Sequence, residues 1–269
     1  MTTVADSVKP EVKAAKRGWN YRSALWWLVV IAYGIANIFL HKQVNLVAAR
    51  LIDLMGLSQF MWTTRILILA GALVILFFRR NFLRNPARLK RVLIFISLGV
   101  VFDLSFVIYA SERVHYPQYA LLTWIAYHAI GKPLPAALLS FLFGYLDEAH
   151  QHWIIYANDP TAYFDWNDNF LNLLGAVSTL LLLPEGIIRR VARRKIFAAI
   201  GIWVLAMSLL ILLFNPDAPL MRDHHSNSFW LTSGIQTHYH VLNALEGTIL
   251  LGVAWIIIIG YYWPDKSHE

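Results

Sequence analysis

Long apolar runs broken by short polar clusters set the pattern of this chain. The runs cover about 24–40, 65–78, 92–109, 117–130, 133–150, 170–183, 196–214 and 241–263. Most approach the roughly 20 residues that an α-helix needs to cross the hydrocarbon core of a bilayer. The first ends in His41-Lys42-Gln43 and not in a small-residue cleavage site, so it reads as a span that is kept. Residues 42–64 mix Val44, Leu46, Val47, Leu51, Leu54 and Met55 with Lys42, Arg50 and Asp53. That spacing predicts an amphipathic helix lying on the outer interface. Gly131-Lys132-Pro133 stops one helix and starts the next. Residues 117–150 are therefore either two full spans or one reentrant hairpin.

The expected fold is all-α: a polytopic transmembrane helical bundle of about eight spans with both termini cytoplasmic. Its parts are a basic cytoplasmic tail (1–23), two N-terminal spans with an outer interfacial helix (24–90), a four-helix core (91–184), and a basic loop with two C-terminal spans (185–269).

Composition agrees with a lipid setting. Of 269 residues 58% are hydrophobic and only 14% charged, where a soluble domain has about a quarter charged. Eleven Trp, twelve Tyr and fifteen Phe suit aromatic belts at two interfaces. The net charge of +7 is placed by topology and not by nucleic acid. Lys and Arg collect in the tail, in 79–91, at Lys132, in 189–195 and at Lys266, together 18 of 23. Those segments are the cytoplasmic ones by the positive-inside rule. Asp6, Glu11, Glu185, Asp265 and Glu269 fall on that side too, and the other eleven of the sixteen acids lie in the spans or outside. The absence of Cys excludes disulfides, thiolate metal sites and a cysteine nucleophile.

Three polar clusters then stand out at the outer ends of apolar runs. Glu112, His115 and Tyr119 are three and four residues apart. Asp147, Glu148 and Gln151 close another run, and Asp165, Asp168, Asn172 and Gly175 step by three, four and three down one helix face, where Gly175 lets a neighbouring helix approach closely. Ionisable groups at membrane depth are expensive, so each is a functional candidate. Structural roles compete at every position. Asp165 and Asp168 suit a helix N-terminus, Asn172 an interhelical hydrogen bond, Asp147 and Glu148 a wet helix end, and Tyr119 packing. Asp103 either turns toward the same clusters or bonds locally.

In that order, E-R-V-H-x-x-x-Y-x-L-L, D-E-x-x-Q and D-W-x-D-x-x-x-N-x-x-G resemble the VanZ-like membrane protein family, over roughly residues 92–183. The founding member of that family is associated with teicoplanin resistance. The resemblance carries the family's polar positions onto Glu112, His115, Tyr119, Asp147, Glu148, Gln151, Asp165, Asp168 and Asn172. It implies a multi-pass protein of the bacterial cytoplasmic membrane that acts on a cell-envelope molecule. Relatives often carry an Arg in the loop before the Asp pair, and residues 152–164 here have none.

Two chemistries fit such residues. Either carboxylates serve as general base and acid with His115 relaying the proton, or one His and several oxygens hold a divalent cation. The first assigns Glu112, His115, Glu148 and Asp168 to catalysis and Tyr119, Asp147, Gln151, Asp165 and Asn172 to binding, with no metal ligand. No cofactor is assigned, although His41, His128, His150, His152, His224, His225, His238, His240 and His268 leave a pigment ligand open. The partners expected are the lipid bilayer and other membrane subunits. The competing function is a non-catalytic accessory subunit of a larger membrane complex, in which these clusters only lock helices together.

Overall fold

A computed structural model describes residues 21–107, 110–158, 164–182 and 244–261. The tail, the basic loop 189–195, the run 196–214 and His224, His225, His238, His240 and His268 lie outside the described residues. Among the described residues the chain is helical, without strands.

Helix α1 runs unbroken through Tyr21–Met55. Residues 42–55 are therefore its continuation and not a separate interfacial helix. No proline or other strong breaker interrupts 41–55. The first position that stops the helix is Gly56, at φ 84° and ψ 149°, a conformation essentially confined to glycine. At 1.5 Å per residue, His41 stands about 30 Å from Tyr21, one hydrocarbon thickness along the helix.

Helix α2 (Leu57–Phe78) takes the run at 65–78 back to the turn and so reaches spanning length. A single turn, α3 (Arg80–Leu83), leads to α4 (Pro86–Phe106), whose first N–H groups are met by Asn85: its Oδ1 accepts from Arg88 at 3.3 Å. A 3₁₀ turn (Ala110–Val114) feeds α5 (His115–Ile130). Gly131 ends α5 at φ 71°, Lys132 is extended, and Pro133 opens α6 (Pro133–His150). A π-turn (Gln151–Ile155) finishes α6; α7 (Trp166–Leu182) and α8 (Ala244–Tyr261) complete the described chain.

Helices α1 and α2 are long and apolar enough to cross a membrane. Their outward faces present Leu25, Leu28, Ile31, Ile66, Leu67 and Leu73, an apolar surface suited to lipid. Helix α5 is the hub, packed on α1, α6 and α7. Tyr119, Leu122, Ile125 and Ala126 of α5 close on Val30 of α1 and Ala136 of α6. Phe141 and Tyr145 of α6 meet Trp166, Leu173, Ala176 and Leu180 of α7 and Trp255 of α8.

Small residues set how closely the helices approach. A Cβ on Gly175 would lie 2.7 Å from the Tyr116 carbonyl oxygen and 2.9 Å from that of His115. Helix α7 thus rests directly on the backbone of α5, the close approach its spacing predicts. That contact brings the first turns of α5 and α7 side by side.

Candidate functional site

Four segments meet at one end of the bundle: the middle of α1, the 3₁₀ turn with the start of α5, the end of α6 with its π-turn, and the start of α7. Local sequence explains why each presents polar groups there. Asp165 caps α7, its Oδ1 accepting from the N–H groups of Asn167 at 2.8 Å and Asp168 at 3.1 Å. Asp168 then falls in the first turn of α7, where the helix dipole favours a negative charge. His115 opens α5, and Asp147 and Glu148 sit in the last turn of α6.

The side chains interlock. His115 Nε2 lies 3.4 Å from Asp168 Oδ2, joining α5 to α7. Tyr119 donates its hydroxyl to Asp147 Oδ2 at 3.1 Å, joining α5 to α6. The same oxygen is 3.3 Å from His41 Nδ1, which brings in α1. Gln151 Nε2 donates to Glu148 Oε1 at 2.9 Å. The His115 ring stacks on Tyr119 with centroids 5.9 Å apart and planes 4° from parallel, and its centroid is also 5.9 Å from that of His41.

Among the described residues, two groups have metal-ligand spacing. His115, Asp147 and Glu148 each offer an atom within 4.8 Å of the others, and so do Glu112, Asp165 and Asp168. His115, Tyr119, Asp147 and Glu148 are at most 2% exposed. Glu112 and Gln151, at 9%, and Asp168, at 6%, form the more open rim. So many carboxylates in so little water are costly as like charges, a cost that positive groups packed among them offset. Acid–base work and cation binding are the two things this arrangement can do.

The structure thus gathers Glu112, His115, Tyr119, Asp147, Glu148, Gln151, Asp165 and Asp168. Asn172 stands apart from the hydrogen-bonded cluster. It is fully buried a turn deeper in α7, packed where a Cβ on Gly144 of α6 would come within 2.7 Å of its Nδ2, and neither amide atom has a hydrogen-bond partner. Asp103 joins an arginine pair instead: Arg113 gives it Nε at 2.6 Å and Nη2 at 3.0 Å, and Arg65 gives Nε at 3.0 Å. Arg113 also reaches Thr64 Oγ1 at 3.4 Å.

His41, which the sequence leaves only as an open pigment ligand, joins the cluster. Its signal was a histidine closing the first apolar run, just before Lys42 and Gln43, and only the fold shows what it faces. Other histidines have aromatic neighbours: His128 stacks on Trp26 at 4.8 Å, His150 lies against Phe39, and His152 sits beside Trp153 and Phe164. Burial lowers the His152 imidazole below its ordinary value, since desolvation disfavours the charged ring.

Among the described residues, fold and site define a helical protein with two helices fit to cross a membrane and a buried acid–imidazole cluster at one end of its bundle. No protein-family model, curated protein or solved structure matches this chain.

Proposed function

We propose that the chain is a multi-pass protein of the bacterial cytoplasmic membrane, VanZ-like over residues 92–183. It has about eight spans, both termini inside, and its acid–imidazole site on the extracytoplasmic side. The site binds or processes a lipid-linked or cell-envelope molecule. One observation carries the reading: polar residues from four separated segments converge in a nearly dry cluster instead of pointing singly into solvent. Assembling such groups is costly and is rewarded by chemistry or ligand binding.

In this reading Glu148 and Glu112 exchange protons with the substrate, and His115, held by Asp168, relays them. Tyr119, Asp147 and Gln151 bind polar groups of the substrate, while Asp165 and Asn172 serve from behind, one as cap and the other in packing. Substrate approaches over the rim formed by Glu112, Gln151 and Asp168. The test returns Glu148→Gln, Glu112→Gln and His115→Ala to a deletion strain and measures teicoplanin susceptibility, lipid-linked precursor levels and membrane abundance. The expected outcome is lost function at wild-type abundance, about 10²–10⁴-fold in rate for a proton-transfer residue.

A second reading, a non-catalytic accessory subunit, draws on bonds that pin one helix to the backbone of another. Ser140 Oγ donates to the Tyr119 carbonyl at 3.0 Å, and Thr179 Oγ1 to that of Ala120 at 2.7 Å. It predicts that the same substitutions lower abundance, and that mild-detergent purification followed by mass spectrometry brings down partner subunits.

A further inference from the structure

We infer that His115, Asp147 and Glu148 form a site for one divalent first-row transition-metal cation, with zinc the best fit. The inference deepens the proposed site and rests on its being functional, though not on the identity of its substrate; with the ion bound, His115 and Glu148 serve as its ligands and proton exchange is left to Glu112.

The donor set is one imidazole and two carboxylates, a combination that suits zinc and its neighbours better than calcium or magnesium, which favour oxygen alone. Ligand atoms about 2.1 Å from a tetrahedral zinc are roughly 3.4 Å from one another. One ligand atom from each of the three already lies within 4.8 Å of the others, so modest side-chain movement closes the gap. Three protein ligands leave a fourth position, the pattern of catalytic zinc sites. His41, touching Asp147 and near His115, is placed to fill or border that position.

The spare lone pairs are the independent observation. His115 Nδ1 and Asp147 Oδ1 are buried and have no hydrogen-bond partner, on side chains 1% and 0% exposed. Their other heteroatoms are occupied: His115 Nε2 by Asp168, and Asp147 Oδ2 by Tyr119 and His41. Glu148 likewise has Oε1 held by Gln151. A supporting partner on one atom with the other left free is how metal-binding His and carboxylates are oriented, and Asp168 behind His115 makes a carboxylate–histidine–metal arrangement. Leaving such atoms without a partner in a sealed site is otherwise unfavourable.

The experiment uses the full chain in detergent or nanodiscs, stripped with chelator, reloaded with Zn²⁺ and assayed for metal after gel filtration. Co²⁺ loading in parallel reads ligand-field absorption. The expected result is one ion per chain, with cobalt bands of a low-symmetry nitrogen–oxygen site. Retention should be lost in Asp147→Asn and His115→Gln, weakened about 10–100-fold in Asp168→Asn, and unchanged in Asp53→Asn, whose carboxylate is exposed. Folded wild-type protein that retains neither ion and shows no cobalt bands overturns the site, whatever the variants do. So does metal that persists in folded Asp147→Asn and Glu148→Gln proteins, since it must then sit elsewhere. If wild type holds no metal while Glu148→Gln still abolishes function at full abundance, the metal inference alone fails. If metal binds and Glu148→Gln functions normally, the functional reading fails instead.

Discussion

Arg113 is 1% exposed, and its charge is answered by Asp103, which Arg65 also holds. Removing Asp103 strands a buried guanidinium, whereas removing Arg113 leaves Asp103 with Arg65. Asp103→Leu is therefore expected to cost about 3–5 kcal/mol, and Arg113→Met less, in thermal or denaturant unfolding in detergent. Gly175 sets a second test. A methyl there strikes the α5 backbone and should cost about 1–3 kcal/mol, while Gly99→Ala, with nothing within 4 Å of its added carbon, should be neutral or gain about 0.5–1 kcal/mol. The small residue one helical step below Asn172 was readable as an approach point because spacing alone reveals it. His41 was not readable as a site residue, because its meaning depends on Asp147, 106 positions away. Asp165 shows a third case: its capping role is local and legible, and the structure adds that the capped turn carries Asp168 to His115.

Turns between helices follow the same division. Gly131-Lys132-Pro133 was legible since its glycine and proline each do a job that few other residues can, and Gly131 takes the left-handed conformation at φ 71°. Gly131→Ala should destabilise by about 1–2 kcal/mol. Gly56 lies in a still more restricted region, so Gly56→Ala should cost about 1–3 kcal/mol despite the open space around it. Scanning both variants for thermal midpoint against Gly71→Ala, another helical glycine without close neighbours, separates backbone strain from crowding. The length of α1 was hidden for a physical reason. An apolar stripe with helical period looks alike whether it faces lipid headgroups or a neighbouring helix, so periodicity over 42–55 predicts a helix without saying whether it continues α1. His41 sits where the expected first span passes into that continuation.

Over the whole molecule, two facts were written along the chain and one was not. Helical content and the segregation of basic residues need only local composition, and both can be read in order. The meeting of the polar ends of α5, α6 and α7 could be expected from the order of the clusters along the chain, whereas the entry of α1 through His41 is a property of packing around α5 and shows only in the fold. Whether that end faces outward is decided by sidedness, and a chain without cysteine makes sidedness directly measurable. Single cysteines at the exposed positions Asn85, Lys132 and Asn158, each reacted with a membrane-impermeant maleimide in intact cells, report on it. With α4, α5 and α6 all crossing, Asn158→Cys labels in intact cells, whereas Asn85→Cys and Lys132→Cys label only after permeabilisation. Helices α5 and α6 hold 16 and 18 residues, about 24 and 27 Å, slightly short of a 30 Å core. A reentrant hairpin therefore remains the rival, and it leaves Asn85 and Asn158 unchanged. Lys132 alone separates the two: labelled from outside, or from neither side, it means that the chain turns back within the bilayer. Labelling of Asn85→Cys but not Asn158→Cys in intact cells would put the acid–imidazole cluster in the cytoplasm and end the cell-envelope reading.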